Sequence, residues 1–179
     1  HSFSPENIEE ALSLLEAAEE LVGHNVLKFD IPAVQKVYPK FNPKGKITDT
    51  LICSRLIWTD IKDRDFKAVH NFGYPIKLVG RHSLESWGHR LQILKGEFAK
   101  DTDWQEWSPE MQTYCKQDVL ITSELYKKII AKNYSEAAIK LEHEFAKYIW
   151  LQEQHGFCFD VESGKKLYSQ LAGRRQELL

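Results

Sequence analysis

An excess of basic charge is missing from this chain. Its 24 Lys and Arg stand against 26 Asp and Glu, a formal charge of −2. Any contact with nucleic acid must therefore rest on local patches rather than on the whole surface. Cysteine is scarce too: Cys53, Cys115 and Cys158 form an odd, widely spaced set without zinc-finger spacing. That pattern predicts a reducing compartment and buried free thiols. No apolar run reaches membrane-spanning length and no secretory leader opens the sequence, which leaves a soluble cytoplasmic protein as the expectation. Repeats and low-complexity tracts are absent. So is an initiating Met, and from the start at His1 we expect a piece cut from something longer.

What is present suits a packed fold. The 179 residues are 42% hydrophobic and 12% aromatic, with five Trp, enough for one domain and part of a second. "SPENIEEALSLLEAAEELV" (4–22) predicts an amphipathic helix capped by Ser4, with Pro5 at its first position and Leu12, Leu15 and Leu21 on the apolar side. "LVGHN" predicts a short buried strand running into a loop, and "DIPAVQKVY" (30–38) a helix. "ITDT" predicts a second strand and "LICSRLIW" a helix, whereas residues 60–80 mix charge, Gly and Pro and predict mostly loop. "HSLESWGHRL" predicts a helix, "KGEFAKDTDWQEW" a charged and aromatic connector, and Ser108 to about Lys132 a long helix. Two further helices follow, separated at Gly156, and the sharpest boundary falls near Asn133.

The long helix carries an anomaly. Met111, Tyr114, Ile121, Leu125 and Ile129 recur at three- and four-residue steps, and Asp118 falls within that apolar stripe. A buried ionised carboxylate needs compensation. Asp118 either lies solvated at the edge of the stripe, pairs with a Lys or Arg, or holds a metal. Asp30 closes the loop "HNVLKFD" at the start of a helix, where a lone acid is more often a cap than a ligand. Taken together, Asp30 and Asp118 have the character of half a two-metal site, in which acids on separate elements converge on divalent ions. Tyr114, one turn before Asp118, is spaced to orient an attacking water; its alternative is a core aromatic.

These stretches carry a resemblance. "HNVLKFD" resembles the second motif, and "YCKQDV" the third, of the DEDD-type 3′–5′ exonucleases, with the tyrosine marking the DEDDy subgroup. "ITDTLICSRLI", "GRHSLESWGHRL", "LKGEF" and "QEQHGFCFD" extend the likeness over nearly the whole chain, to replicative DNA polymerases of short-tailed phages in the polymerase I family (family A). The resemblance implies an α/β, RNase H-like exonuclease fold, truncated at the N-terminus and so mostly helical with a short remnant sheet. It implies residues 1–133 as the exonuclease domain and 134–179 as a connector into a polymerase domain. Asp118 and Asp30 would ligate Mg2+ or Mn2+, Tyr114 would orient the water, and Asn25 would contact the DNA strand or steady its loop.

One part of that pattern is missing. The family's Asp-x-Glu first motif does not occur upstream of Asn25, where chain order requires it. The acids of "ENIEE" and "EAAEE" belong to a predicted helix, and "DTDW" lies between the second and third motifs. With Asp30 and Asp118 alone, metal binding is expected to be weak or absent, and nuclease activity slight. Three opening strands are missing as well, so two parallel strands near residues 20–24 and 47–49 remain, with an exposed edge at "LVGHN" and scope for self-association there. The rival expectation is a non-catalytic DNA-binding or assembly module that keeps the fold. Asp49 is expected to start a helix, as are His82 and Ser83. His24 is set aside because magnesium prefers hard oxygen ligands. Lys28, Lys77, Arg81 and Arg90 either steer DNA or are solvated charges, and "WQEW" and Trp87 either stack on bases or pack.

Overall fold

The computed structural model describes residues 1–93 and 107–178. It forms two compact units, His1–Lys147 and Tyr148–Leu179. In the first, a 3-10 turn at Pro5–Asn7 leads into α1 (Ile8–Ala17), then β1 (Glu20–Gly23), α2 (Asp30–Val37) and β2 (Lys46–Asp49). Helices α3 (Thr50–Ile57), α4 (Ile61–Phe72), α5 (Leu84–Arg90) and α6 (Pro109–Ala131) follow, and α7 (Glu136–His155) begins within this unit. The two strands are parallel, with Leu21 opposite Ile47 and Gly23 opposite Asp49. Among the described residues β1 pairs with β2 alone, so its other edge carries no strand. This is an α/β arrangement, mostly helical, around a two-stranded parallel sheet.

α1 is shorter than its amphipathic pattern predicts. It stops at Ala17, and Glu20 and Leu21 enter β1 instead. The reason is tertiary. Thr48 Oγ1 donates to Glu20 Oε1 at 2.6 Å, Tyr126 OH donates to Glu20 Oε2 at 3.0 Å, and Lys46 Nζ lies 3.2 Å from the same carboxylate. Those partners outweigh the modest helix preference of Glu and Leu. Every residue of β1 is only half-buried, in contrast to the buried strand expected. On α1 Ala11 is buried, while Leu15 lies outside the core.

The core is built by α3, α4, α5 and α6. Cys53, Trp58, Ile61, Trp87, Ile121, Leu125 and Ile129 form it, with Ile57, Leu84, Leu91, Ile93 and Ile139 packed around them. Trp58 and Trp87 meet with ring centroids 4.9 Å apart and planes tilted by 59°. α6 starts as its sequence predicts: Ser108 Oγ accepts from the Met111 N–H, Pro109 opens the first turn, and the buried stripe is Ile121, Leu125 and Ile129. The Gln112 amide near its start donates to Ser2 Oγ at 2.8 Å, so the first residues lie alongside it.

α4 corrects the expectation of a loop over 60–80. Its charges face outward, while Ile61 and Asp65, one turn apart, face in. Asp65 is held by Arg90, whose Nη2 lies 2.7 Å from Oδ2 and whose Nε lies 2.9 Å from Oδ1. Gly73, at φ +67°, closes the helix in a conformation that costs other residues more.

The second unit comprises the end of α7 and α8 (Val161–Glu177), whose start is capped by Asp160 accepting from the Ser163 N–H. None of its described residues is buried. No helix among the described residues is long and apolar enough to cross a membrane.

Candidate functional site

The loop between β1 and α2 places Asp30. The chain turns tightly after Gly23, where an added Cβ would fall 2.6 Å from the Cβ of Val26, so only glycine fits without displacement. Asn25 then takes a left-handed φ of +64°. Its carbonyl accepts from the Phe29 N–H at 3.0 Å, and Val26 O accepts from the Ile31 N–H at 3.0 Å. Asp30 emerges as the first residue of α2, beyond the N-cap position held by Phe29. An acid there is favoured by the helix dipole.

Asp30 is an exposed residue, yet burial along one side pushes its carboxyl above the ordinary carboxylate range. A hydrogen bond at its own backbone opposes this, and the negative charges of Asp49 and Asp118 add to it. Asp49 and Asp118, on two other elements, are thus each within electrostatic reach of Asp30. α6 delivers Asp118 by packing against β1, α3 and α5. Asp118 is half-buried in the row that runs from Met111 to Ile129, and Tyr114 is half-buried one turn before it. Thr122 Oγ1 donates to Asp118 O at 2.8 Å.

Asp49 contributes more than a helix start. It is 1% exposed, and its Oδ1 accepts the N–H groups of Leu51 and Asn25, both at 2.9 Å. Its Oδ2 accepts the Leu27 N–H at 3.2 Å. Its own N–H donates to Nε2 of buried His143 at 2.8 Å. Beside it, Thr50 Oγ1 lies 2.9 Å from His24 Nδ1 and 3.2 Å from Gly23 O. The helix-start reading of Asp49 holds at Leu51, but its bonds to the loop and to His143 lie beyond the reach of local sequence pattern.

Other sequence-level candidates fall away. Arg90 is spent on Asp65 and lies over the rings of Trp87 and Tyr74, at 4.9 and 5.5 Å, so it does not face a nucleic acid strand. Trp87 is a core residue. Lys77 pairs with Glu85 at 3.4 Å on the surface. Ser83 caps α5 as expected, and His82 Nδ1 lies 3.1 Å from Ser54 Oγ. Of the thiols only Cys53 is buried; Cys115 and Cys158 are exposed, and all are free. The Asp-x-Asp of "DTDW" and most of "WQEW" lie outside the described residues.

Carboxylates are the donor type that Mg2+ and Mn2+ prefer. Among the described residues no three His, Cys, Asp or Glu side chains gather as a metal-ligating group. The fit is therefore right in kind and short in number.

Over its whole length the chain is similar to the DNA-directed DNA polymerase of Enterobacteria phage T3, at 33% identity over 223 residues. It is similar also to the DNA-directed DNA polymerase of Escherichia phage T7, at 32% identity with 99% of the chain aligned. The chain spans about a third of the length of each, 32% in both cases. No family model matches it.

Proposed function

We propose that the chain is the 3′–5′ exonuclease part of a phage DNA polymerase of the polymerase I family, with an RNase H-like fold that lacks its first motif. Residues 1–133 are the exonuclease part in this reading, and 134–179 the connector to a polymerase domain. What supports it at the site is that Asp30 and Asp118 come from separate elements, with burial first and then the charges of Asp49 and Asp118 raising the Asp30 carboxyl. The likeness to two phage polymerases over the full chain supports the same reading.

The reaction is removal of the terminal nucleotide from a single-stranded or frayed 3′ end. Mg2+ or Mn2+, when bound, would supply an acidified water and offset charge on the departing 3′ oxygen. Asp30 and Asp118 would hold the cations, and Tyr114 would orient the water. Asn25, beside the loop, meets the strand. With only two acids to share, this chain binds metal weakly and degrades DNA little. A second reading, a DNA-binding module without catalysis, is favoured by the shortfall of ligands among the described residues.

Mn2+ binding followed by electron paramagnetic resonance tests the assignment. Weak binding that disappears in both Asp30→Ala and Asp118→Ala is expected. Binding indifferent to both substitutions sinks the exonuclease reading. In parallel, Mg2+-dependent digestion of a single-stranded oligonucleotide is expected to be slight, and vigorous digestion abolished by Asp118→Ala would show that the two acids suffice.

A further inference from the structure

A helix cap needs one acceptor and one donor. Asp49 has that bond at Leu51, and two more that α3 does not require. They reach back 24 and 22 residues, to the N–H groups of Asn25 and Leu27, within the turn that leads to Asp30. Three backbone donors around a carboxylate 1% exposed are what allow a charge to be buried there. The left-handed Asn25 directs its N–H at Oδ1, and the tight turn at Gly23 brings Leu27 to Oδ2. The strand register fixes where the carboxylate sits, since Asp49 lies opposite Gly23 at the point where β1 gives way to the loop.

We propose that Asp49 is the positioning residue of the site: its carboxylate clamps the 24–29 loop and so sets where Asp30 stands relative to Asp118. This rests on the exonuclease reading above. Asp49 acts through the loop and not as a ligand, because it is 1% exposed and its oxygens take the N–H groups of Asn25, Leu27 and Leu51. The same residue anchors α7, through the bond from its N–H to His143, so one side chain and its backbone tie three parts of the chain to the end of β2.

Amide hydrogen exchange and Mn2+ line broadening on the whole chain, read residue by residue by NMR, test this together. Hydrogen bonds to a charged acceptor give about ten- to hundredfold protection. Asp49→Asn keeps the Oδ1 acceptor but turns a donor toward Leu27. It is expected to speed exchange at Leu27 at least tenfold, while Asn25 and Leu51 stay within a few-fold of wild type. Asp49→Ala is expected to free both loop amides while Ile121 and Leu125 stay protected. In wild type, Mn2+ is expected to broaden the amides of Asp30 and Asp118 together, and in Asp49→Ala to broaden Asp118 alone. A merely structural cap would lower stability without separating those two signals. Loop amides that remain protected in both variants overturn the proposal, and so does an Asp49→Ala chain in which Asp30 and Asp118 still broaden together. A wild-type chain in which Mn2+ broadens neither amide overturns the metal reading and the catalytic purpose of the clamp with it, whatever the exchange rates show.

Discussion

Arg90 and Asp65 show what a charged residue can conceal in a sequence. In sequence Arg90 is a solvated or DNA-steering charge and Asp65 falls in an expected loop, yet their side chains are 13% and 3% exposed and joined by two hydrogen bonds. Asp65 also accepts the Gly80 N–H at 2.9 Å, and Arg90 donates to Arg81 O. The pair therefore fastens α4 to the segment leading into α5. Removing one partner strands the other, so Asp65→Ala should cost about 3–5 kcal/mol in chemical denaturation. The double variant Asp65→Ala with Arg90→Ala should lose less than the sum of the two single ones. His82 gives a pH signature. Burial, followed by the charges of Arg90 and Arg55, pushes its imidazole down from 6.5 to about 4. The unfolded chain then binds the proton more readily, so this contribution to stability is complete above pH 6.5 and fades as pH falls toward 4. Denaturation midpoints across that range should decline less steeply in His82→Gln than in wild type. Thiol chemistry separates the cysteines. Cys53 is pushed up to about 11 by burial and then by the charge of Asp49. Burial and the charge of Asp118 raise Cys115 as well. Ellman's reagent should find Cys158 first, Cys115 more slowly, and Cys53 only after unfolding.

Among the elements, helix starts were the most readable. Ser83, Ser108 and Asp49 each accept a hydrogen bond from the first turn, as their residue types and positions imply. Helix ends and the existence of α4 were not. Periodicity over 61–72 is masked by charge, because one of its two buried positions is an acid whose partner lies 25 residues on. The pattern predicts β1 but carries α1 past its end, since Glu20 is claimed by residues of β2 and α6. The sheet also depends on a close approach hidden from pattern reading. A Cβ at Gly45 would fall 2.1 Å from the carbonyl oxygen of Ala18, just where Lys46 N–H pairs with Glu19 O. Gly45→Ala should therefore destabilise the chain by about 1–3 kcal/mol. Its effect should appear as faster amide exchange at Lys46 ahead of α6; equal change throughout would contradict a local cause.

At the scale of the molecule, the mixture of helices with two short parallel strands was legible. The ties that hold the site were not, because they join residues far apart in sequence: 94 positions for His143 to Asp49 and 106 for Tyr126 to Glu20. No local window contains both partners. The two units differ in kind. The first has the tryptophan and isoleucine core, while Phe157, Phe159 and Tyr168 in the second are exposed. Backbone amides over 148–178 should thus exchange orders of magnitude faster than those of Ile121 and Leu125.

The bond between Ser2 and Gln112 has a practical side. A purification tag fused ahead of His1 would emerge beside the first turns of α6, where Ser2 meets Gln112. Oligohistidine placed there would add imidazoles that compete for manganese in the binding test of the proposed exonuclease reading. Tags for any assay of this protein belong after α8.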